Sequence, residues 1–276
     1  MVVRILPAVA LEVPVATPLQ WSAMRGCLIL LLPLLLSAAD PVHVEYQCSE
    51  EDTQSFGLDC SEDQPCPVFL ELAAVDALGS RVFLTGNLHT QNTTLYGVLL
   101  ISDDSGQTWT EPDLAHNGQK PGRLRAAELD QIQFIDLRTG WISGVMLEPL
   151  PRDPFLLVTF DAGATWRRRP LFEETRFGSI QQFWFTSPQS GELIVDRSQG
   201  ASTSYERYES DTGGDSWTIA EVNKNPLRMN KPRPQSTPTW RLRVDAATKT
   251  YHVERRTAAQ TWENIAVFAV NAGECR

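Results

Sequence analysis

The sequence predicts an all-β chain made of repeated small antiparallel sheets, and three observations carry the prediction. An eight-residue turn recurs. Ser102-Asp103-Asp104-Ser105-Gly106-Gln107-Thr108-Trp109 and Thr159-Phe160-Asp161-Ala162-Gly163-Ala164-Thr165-Trp166 share the template Ser/Thr-x-Asp-x-Gly-x-Thr/Ser-Trp. Short apolar, β-favouring runs surround each copy, with the period of two that strands require in Ile132/Phe134 and Leu193/Val195. Tryptophans 109, 166, 217 and 262 then recur at intervals of 57, 51 and 45 residues, the scale of one supersecondary unit.

Within the turn each residue type has a task. Asp104 and Asp161 accept hydrogen bonds from the backbone, and the hydroxyls of Ser102, Thr108, Thr159 and Thr165 add more. Gly106 and Gly163 supply positive φ. Trp109 and Trp166 open the next strand with an indole that is expected to be buried. Two copies are degenerate. Ser210, Gly214, Ser216 and Trp217 keep the pattern with Thr212 in place of the aspartate, and Thr261-Trp262 keeps only the end. A calcium loop would want several oxygen donors at alternating positions, and these turns offer one or two. Turn stabilisation is the better account of Asp104 and Asp161.

The template resembles the Asp-box (BNR) repeat of β-propellers, known from sialidases, photosystem II stability/assembly factors and sortilin-type receptors. The resemblance covers residues 69–270. It implies a hairpin turn between the two outer strands of each blade, which names an architecture and not a chemistry. Three blades follow as strands: Phe69–Asp76, Arg81–Gly86 and Tyr96–Ser102; Ile132–Asp136, Gly140–Gly144 and Phe155–Thr159; Ile180–Phe185, Gly191–Asp196 and Ser204–Glu209. The outer strands begin near Trp109, Trp166 and Trp217. The second unit's Ile-x-Phe-x-Asp-x-x-x-Gly-Trp is most similar to the photosystem-factor type. The fourth unit has Trp240–Val244, Tyr251–Arg255 and Trp262–Val270, with Val42–Tyr46 expected to supply its missing strand and close the ring. Four blades are countable, and the length admits five at most, where related propellers commonly have six or seven. The ring is therefore small, or incomplete and paired with another chain.

At the front, Met24-Arg25-Gly26 and the run Cys27–Leu36 have the form of a signal peptide, with Ser37-Ala38-Ala39 as its cleavage site. Met24 is the expected start, and an uncleaved membrane anchor is the alternative. Residues 1–39 form the signal region, 40–68 an N-terminal strand with an acidic, cysteine-containing loop, and 69–276 the propeller. Removal of residues 1–39 leaves 22 basic against 33 acidic residues. That balance excludes nucleic acid and anionic lipid as partners. Localisation is expected to be periplasmic or extracellular, with no membrane insertion after cleavage.

Four cysteines then remain, an even number that reads as disulfides in an exported chain, with three pairings open. Cys60 and Cys66 close a small loop, leaving Cys48 for Cys275. No metal site is expected from His43, His89, His116 and His252, which lack ligand spacing. No cofactor motif is present. Residues 110–130, including Arg123 and Arg125, and 221–239, including Lys224, Arg228, Lys231 and Arg233, read as inter-blade loops. Arg167-Arg168-Arg169 reads as the coat of an outer strand. Asn92-Thr93-Thr94 spells an N-glycosylation acceptor.

The function expected is that of a non-catalytic exported scaffold binding a protein or glycan partner, with an assembly or stability role. The alternative is a sialidase-like glycoside hydrolase. That chemistry needs an arginine cluster and a Tyr–Glu pair, and one candidate pair, Tyr251 and Glu254, stands three positions apart on a strand, hence on opposite faces. No catalytic residue is assigned.

Overall fold

The computed structural model describes residues 40–112, 114, 123–148, 153–174, 176–230 and 239–276. Residues 1–39, where a signal region is expected, much of the loop between Thr110 and Arg123, and Lys231, Pro232, Arg233, Pro234 and Pro238 lie outside them. The chain enters through a two-residue strand β1 (Tyr46–Gln47) and a short helix α1 (Glu50–Ser55). The first blade is β2 (Cys66–Leu78), β3 (Arg81–His89), β4 (Thr94–Ser102) and β5 (Arg123–Arg125). The second is β6 (Ala127–Phe134), β7 (Gly140–Met146), β8 (Asp153–Thr159) and β9 (Arg167–Pro170). The third is β10 (Ser179–Phe185), β11 (Gly191–Asp196), β12 (Tyr205–Ser210) and β13 (Thr218–Asn223). The fourth has three strands, β14 (Trp240–Asp245), β15 (Thr250–Arg256) and β16 (Trp262–Ala269), and continues into β17 (Asn271–Cys275), which joins the first blade beside β2. Neighbouring strands within each blade are antiparallel, as in a propeller.

The fourth blade borrows from the N-terminus in a narrower way than a full strand. Val42 bridges Phe268 in parallel, exchanging Val42 N–H to Val267 O at 2.7 Å and Ala269 N–H to Val42 O at 3.0 Å. The segment then crosses to β17, where Tyr46 faces Gly273. Disulfides join Cys48 to Cys275 and Cys60 to Cys66, with Cα atoms 5.0 and 5.5 Å apart. The first therefore ties the N-terminal segment to the end of β17.

The acidic stretch after Cys48 is not a loop throughout. Ser49 caps α1, its hydroxyl accepting from Asp52 N–H at 3.1 Å while Asp52 accepts from Ser49 N–H at 3.0 Å. This reciprocal pair satisfies backbone donors that a helix start otherwise leaves open.

The repeated turns use their residues locally. In the second blade Asp161 accepts from Thr165 N–H at 2.9 Å and from the Thr165 hydroxyl at 2.6 Å, Thr159 Oγ1 accepts from Gly163 N–H at 2.9 Å, and Trp166 Nε1 donates to Gly163 O at 3.1 Å. Asp104 repeats these bonds with Thr108, as do Ser102 with Gly106 and Trp109 with Gly106 O. In the third copy Thr212 does part of the work, accepting from Ser216 N–H at 2.9 Å, and Trp217 Nε1 is buried with no partner among the described residues. Thr257 and Thr261 make the weakest version, hydroxyl to hydroxyl at 2.8 Å.

The first three turns also dock into a neighbouring blade. A Cβ on Gly163 would lie 2.7 Å from the ring of Phe83, in the first blade, and Arg81 Nη1 donates to Ala162 O at 2.7 Å. The Trp141 indole of the second blade donates to Gly213 O at 3.0 Å and stacks on Phe185 with ring centroids 3.8 Å apart. Gly106 meets Ile265 at 2.6 Å, and Trp109 packs edge-on against Phe268, both in the fourth blade. The blades thus run in space as fourth, first, second, third. Three hydrophobic clusters fill those three interfaces. Among the described residues none joins the third blade to the fourth.

The two faces left at the ends of this run are polar. On the third blade Glu192, fully buried, pairs with Arg207 at 3.1 Å, which reaches Glu221 at 3.0 Å, and Asn230 N–H caps the Glu192 carboxylate at 2.8 Å. On the fourth, Glu254 accepts from Arg241 at 2.6 Å and Arg243 at 2.8 Å, and Arg241 stacks over Trp262. Burial raises the Glu254 pKa, and the two guanidiniums outweigh it and hold it low. Polar outer faces of this kind let a repeat array stop without exposing core.

Burial of the tryptophans departs from the expectation of uniform depth. Trp166 is 2% exposed, packed edge-on against Phe134, whereas Trp109, Trp217 and Trp262 are half-buried. Trp262 lacks a preceding blade to enter, and Trp109 is left open by a break in its outer strand. Trp166→Ala is therefore expected to cost about 3–5 kcal/mol, and Trp262→Ala about 1 kcal/mol, the scale of an exposed cation–π contact, as read by urea denaturation. Equal losses would contradict the docking order.

The aspartates give a pH signature. The Thr108 hydroxyl and amide, then the Ser102 hydroxyl, hold exposed Asp104 at about 2, against about 3.9 in an unfolded chain. For Asp161, burial raises the pKa, and its bonds to Thr165 and Thr159 win and lower it. Folded values below the unfolded one mean that this stabilisation is complete above pH about 4 and is lost as pH falls toward about 2. Melting temperatures of the wild type and Asp104→Asn should converge over that interval. A difference that persists at the acid end would contradict the assignment.

Candidate functional site

The first blade's outer strand is interrupted, and the interruption opens a cleft. Thr110 bridges Ile101. A continuous strand would then place residue 113 opposite Val98, yet Arg123 stands there, ten positions later. Leu100, paired with Leu84 of β3 on its inner side, consequently has no strand on its outer side, and a cleft of about 770 Å³ opens over Leu100, Trp109 and Phe268.

Its opposite wall is the N-terminal segment. Val44 and Tyr46 are buried, while His43, Glu45 and Gln47 are exposed, the alternation of an extended chain on a core. Val42 spends both backbone groups on β16. His43, the next residue, turns the other way, and its N–H and C=O have no partner among the described residues.

Arg123 latches the two walls from β5, which corrects its assignment to an inter-blade loop. Its side chain is 8% exposed. Nε and Nη2 grip the Glu111 carboxylate at 2.8 and 2.9 Å, and Nη2 also donates to Glu45 O at 2.8 Å. Behind it Tyr46 and Tyr96 pack at 5.7 Å, and the Tyr96 hydroxyl donates to Asp52 Oδ1 at 2.7 Å. Burial first, then the neighbouring Asp52 carboxylate, push both phenols above their ordinary range. With Arg123 neutralised by Glu111, the exposed rim carries Glu45 and His43.

Among the described residues, those of the repeated turns are not gathered into this or any other site. They form four separate turns, one per blade, and only Trp109 reaches the cleft. A second opening of about 550 Å³ lies by Phe160 and Leu137, which are 46% and 67% exposed. Arg167-Arg168-Arg169 does coat an outer strand, with Arg169 paired to Asp215 at 2.7 Å.

Tyr251 and Glu254 lie on opposite faces, Tyr251 opposite Phe268 on the core side and Glu254 with Arg241 and Arg243. A different pair does meet. The Tyr208 hydroxyl donates to Glu206 at 2.5 Å, and Arg197 pairs with the same carboxylate. Tyr208 and Glu206 are 4% and 8% exposed, and Arg197 is folded onto Phe172. This cluster is sealed between the second and third blades. Among the described residues no group of three or more His, Cys, Asp or Glu is placed to hold a metal, and no helix is long and apolar enough to cross a membrane.

No protein-family description matches the chain, and no curated protein does. Solved structures do. YCF48 bound to D1 peptide is 19% identical, with a TM-score of 0.39, over 72% of this chain and 56% of that one. A protein of unknown function from Dyadobacter fermentans is 16% identical, with a TM-score of 0.40, over 76% and 60%. An α-L-arabinanase of Penicillium chrysogenum with arabinobiose is 13% identical, with a TM-score of 0.34, over 75% and 62%. The chain spans a little over half the length of these structures. At such identities the likeness does not go beyond the fold, and the fold stands on the blades described above.

Arg123→Met should loosen the N-terminal wall. The guanidinium is buried, but Glu111 is 24% exposed and rehydrates in part, so the expected cost is about 1–3 kcal/mol, below that of breaking a fully buried pair. Amide exchange should accelerate at Val44–Gln47 and not in the third blade. Unchanged exchange there would contradict the latch.

Proposed function

We propose that this chain is a non-catalytic, exported Asp-box propeller that holds an extended segment of a protein partner in the cleft between its N-terminal segment and its first blade. One observation carries the reading: an unpartnered backbone edge at His43 stands beside the half-exposed indole of Trp109. An extended peptide can add its own backbone bonds to such an edge, while an aromatic floor takes alternate side chains. The paired disulfides fit an oxidising, exported setting. The resemblance of the second blade's motif to the photosystem-assembly type is in keeping with a role in assembly or stability. The preferred peptide is basic, because Glu45 stands on the rim and the chain carries a net charge of −10. The Tyr208–Glu206–Arg197 cluster is enclosed and gives no support to hydrolysis.

The test is retention of extended basic, acidic and neutral peptides, and of neutral glycans, by the purified chain. His43→Pro removes one backbone donor facing the cleft and leaves the Val42 bonds to β16 in place. His43→Pro and Trp109→Ala are each expected to weaken basic-peptide binding about tenfold, equivalent to about 1.4 kcal/mol, with the His43→Pro melting temperature near that of the wild type. Peptide binding indifferent to both variants would overturn this reading. So would retention of glycans in place of peptides.

A further inference from the structure

We infer that Asn92 is an N-glycan acceptor, and that its glycan is added before the first two blades have packed together. The full sequence contains a single Asn-x-Ser/Thr triplet with a non-proline centre, Asn92-Thr93-Thr94. It lies in the turn joining β3 to β4. The Thr90 hydroxyl accepts from Asn92 N–H at 3.3 Å and Thr93 N–H at 3.1 Å, and Thr90 N–H closes the turn on Thr93 O at 2.8 Å. The turn's backbone is thereby held without help from the Asn92 side chain. That side chain is exposed, and its amide has no partner among the described residues. A bulky substituent on Asn92 Nδ2 therefore displaces no packing or hydrogen bond of the fold.

The acceptor hydroxyl two residues on has a different setting. Thr94 Oγ1 donates to Glu128 Oε1 at 3.0 Å, and Glu128 belongs to the second blade. A transferase that reads the threonine hydroxyl meets it free only while that blade is undocked. The reaction is a substitution at the anomeric carbon of a lipid-pyrophosphate-linked oligosaccharide. The C1–N bond to Asn92 forms, the C1–O bond to pyrophosphate breaks with its electron pair leaving on the lipid pyrophosphate, and one amide proton passes to a base. The two disulfides call for the compartment in which such donors are used. The turn precedes β4, whereas Trp109 and the cleft follow it, so the glycan stands at the far end of that strand from the proposed binding cleft. The inference shares with the proposed function only the export of the chain, and glycan addition and peptide binding can fail separately.

The full chain is expressed in a eukaryotic secretory host, and the secreted protein is digested with peptide N-glycosidase in heavy-oxygen water. The wild type is expected to lose mass by a whole number of sugar units and to carry heavy aspartate at position 92. Asn92→Gln should show neither change and should keep its melting temperature. Thr94→Ser should keep the label, and Thr94→Ala should lose it. Secreted wild type with no mass loss would overturn the inference, as would label at another asparagine or a chain that never enters the secretory lumen.

Discussion

The constraint on which this structure depends is the fit of the first three repeated turns into neighbouring blades. The turn is a local device, in which a carboxylate and two hydroxyls satisfy backbone donors that a tight reversal leaves open. Its glycine makes it an inter-blade device as well. At φ +81° and +91°, Gly163 and Gly106 take a conformation that other residues rarely adopt, and the space of their missing Cβ is filled by Phe83 and Ile265 of the neighbouring blade. The fourth turn has Ala259 in the corresponding place, and no blade of this chain is docked against it. Loss of the glycine and loss of the interface fall on the same blade.

The ends of the run follow from the same fit. Where a neighbour is present, a blade face carries aromatics such as Phe134, Trp141 and Phe268. Where it is absent, the face carries Glu192, Arg207, Arg241, Arg243 and Glu254, joined in ion pairs. Side chains also clamp inner strand to inner strand. Asp76 accepts from Phe134 N–H at 2.7 Å, and Gln133 exchanges bonds with the backbone of Phe185 at 2.8 and 3.0 Å. The cleft arises where this regularity lapses, at the interrupted outer strand of the first blade, with Arg123 holding the N-terminal segment across the gap. The proposed binding cleft and the structural exception coincide there.

Much of the fold was legible in the sequence because its signals are local. The bonds within the repeated turn span two to four residues and demand particular side chains, so Ser102 to Trp109 reads as a turn without any tertiary knowledge. Strand alternation gave the blade strands to within a few residues, and the Val42–Tyr46 segment was readable as a strand in search of a sheet. The helix α1 was signalled by Ser49 and Asp52 at capping-box spacing, but the same acidic run suits a solvated loop. The site was much less legible. Arg123 looks like a loop residue until β5 pairs with β4, and the exposure of Trp109 depends on a register ten positions removed. The order of blades depends on contacts such as Gly163 with Phe83, about which composition and periodicity are silent.

The most direct test of the docking fit is a double-mutant cycle on Phe83→Ala and Gly163→Ala, followed by urea denaturation. The account predicts that Gly163→Ala costs less once Phe83 is truncated, with a coupling of at least about 0.5 kcal/mol, because the clash of the new Cβ with the ring is gone and only the backbone strain remains. Additive losses, within about 0.3 kcal/mol, would show that the turn serves its own hairpin alone, and would contradict it.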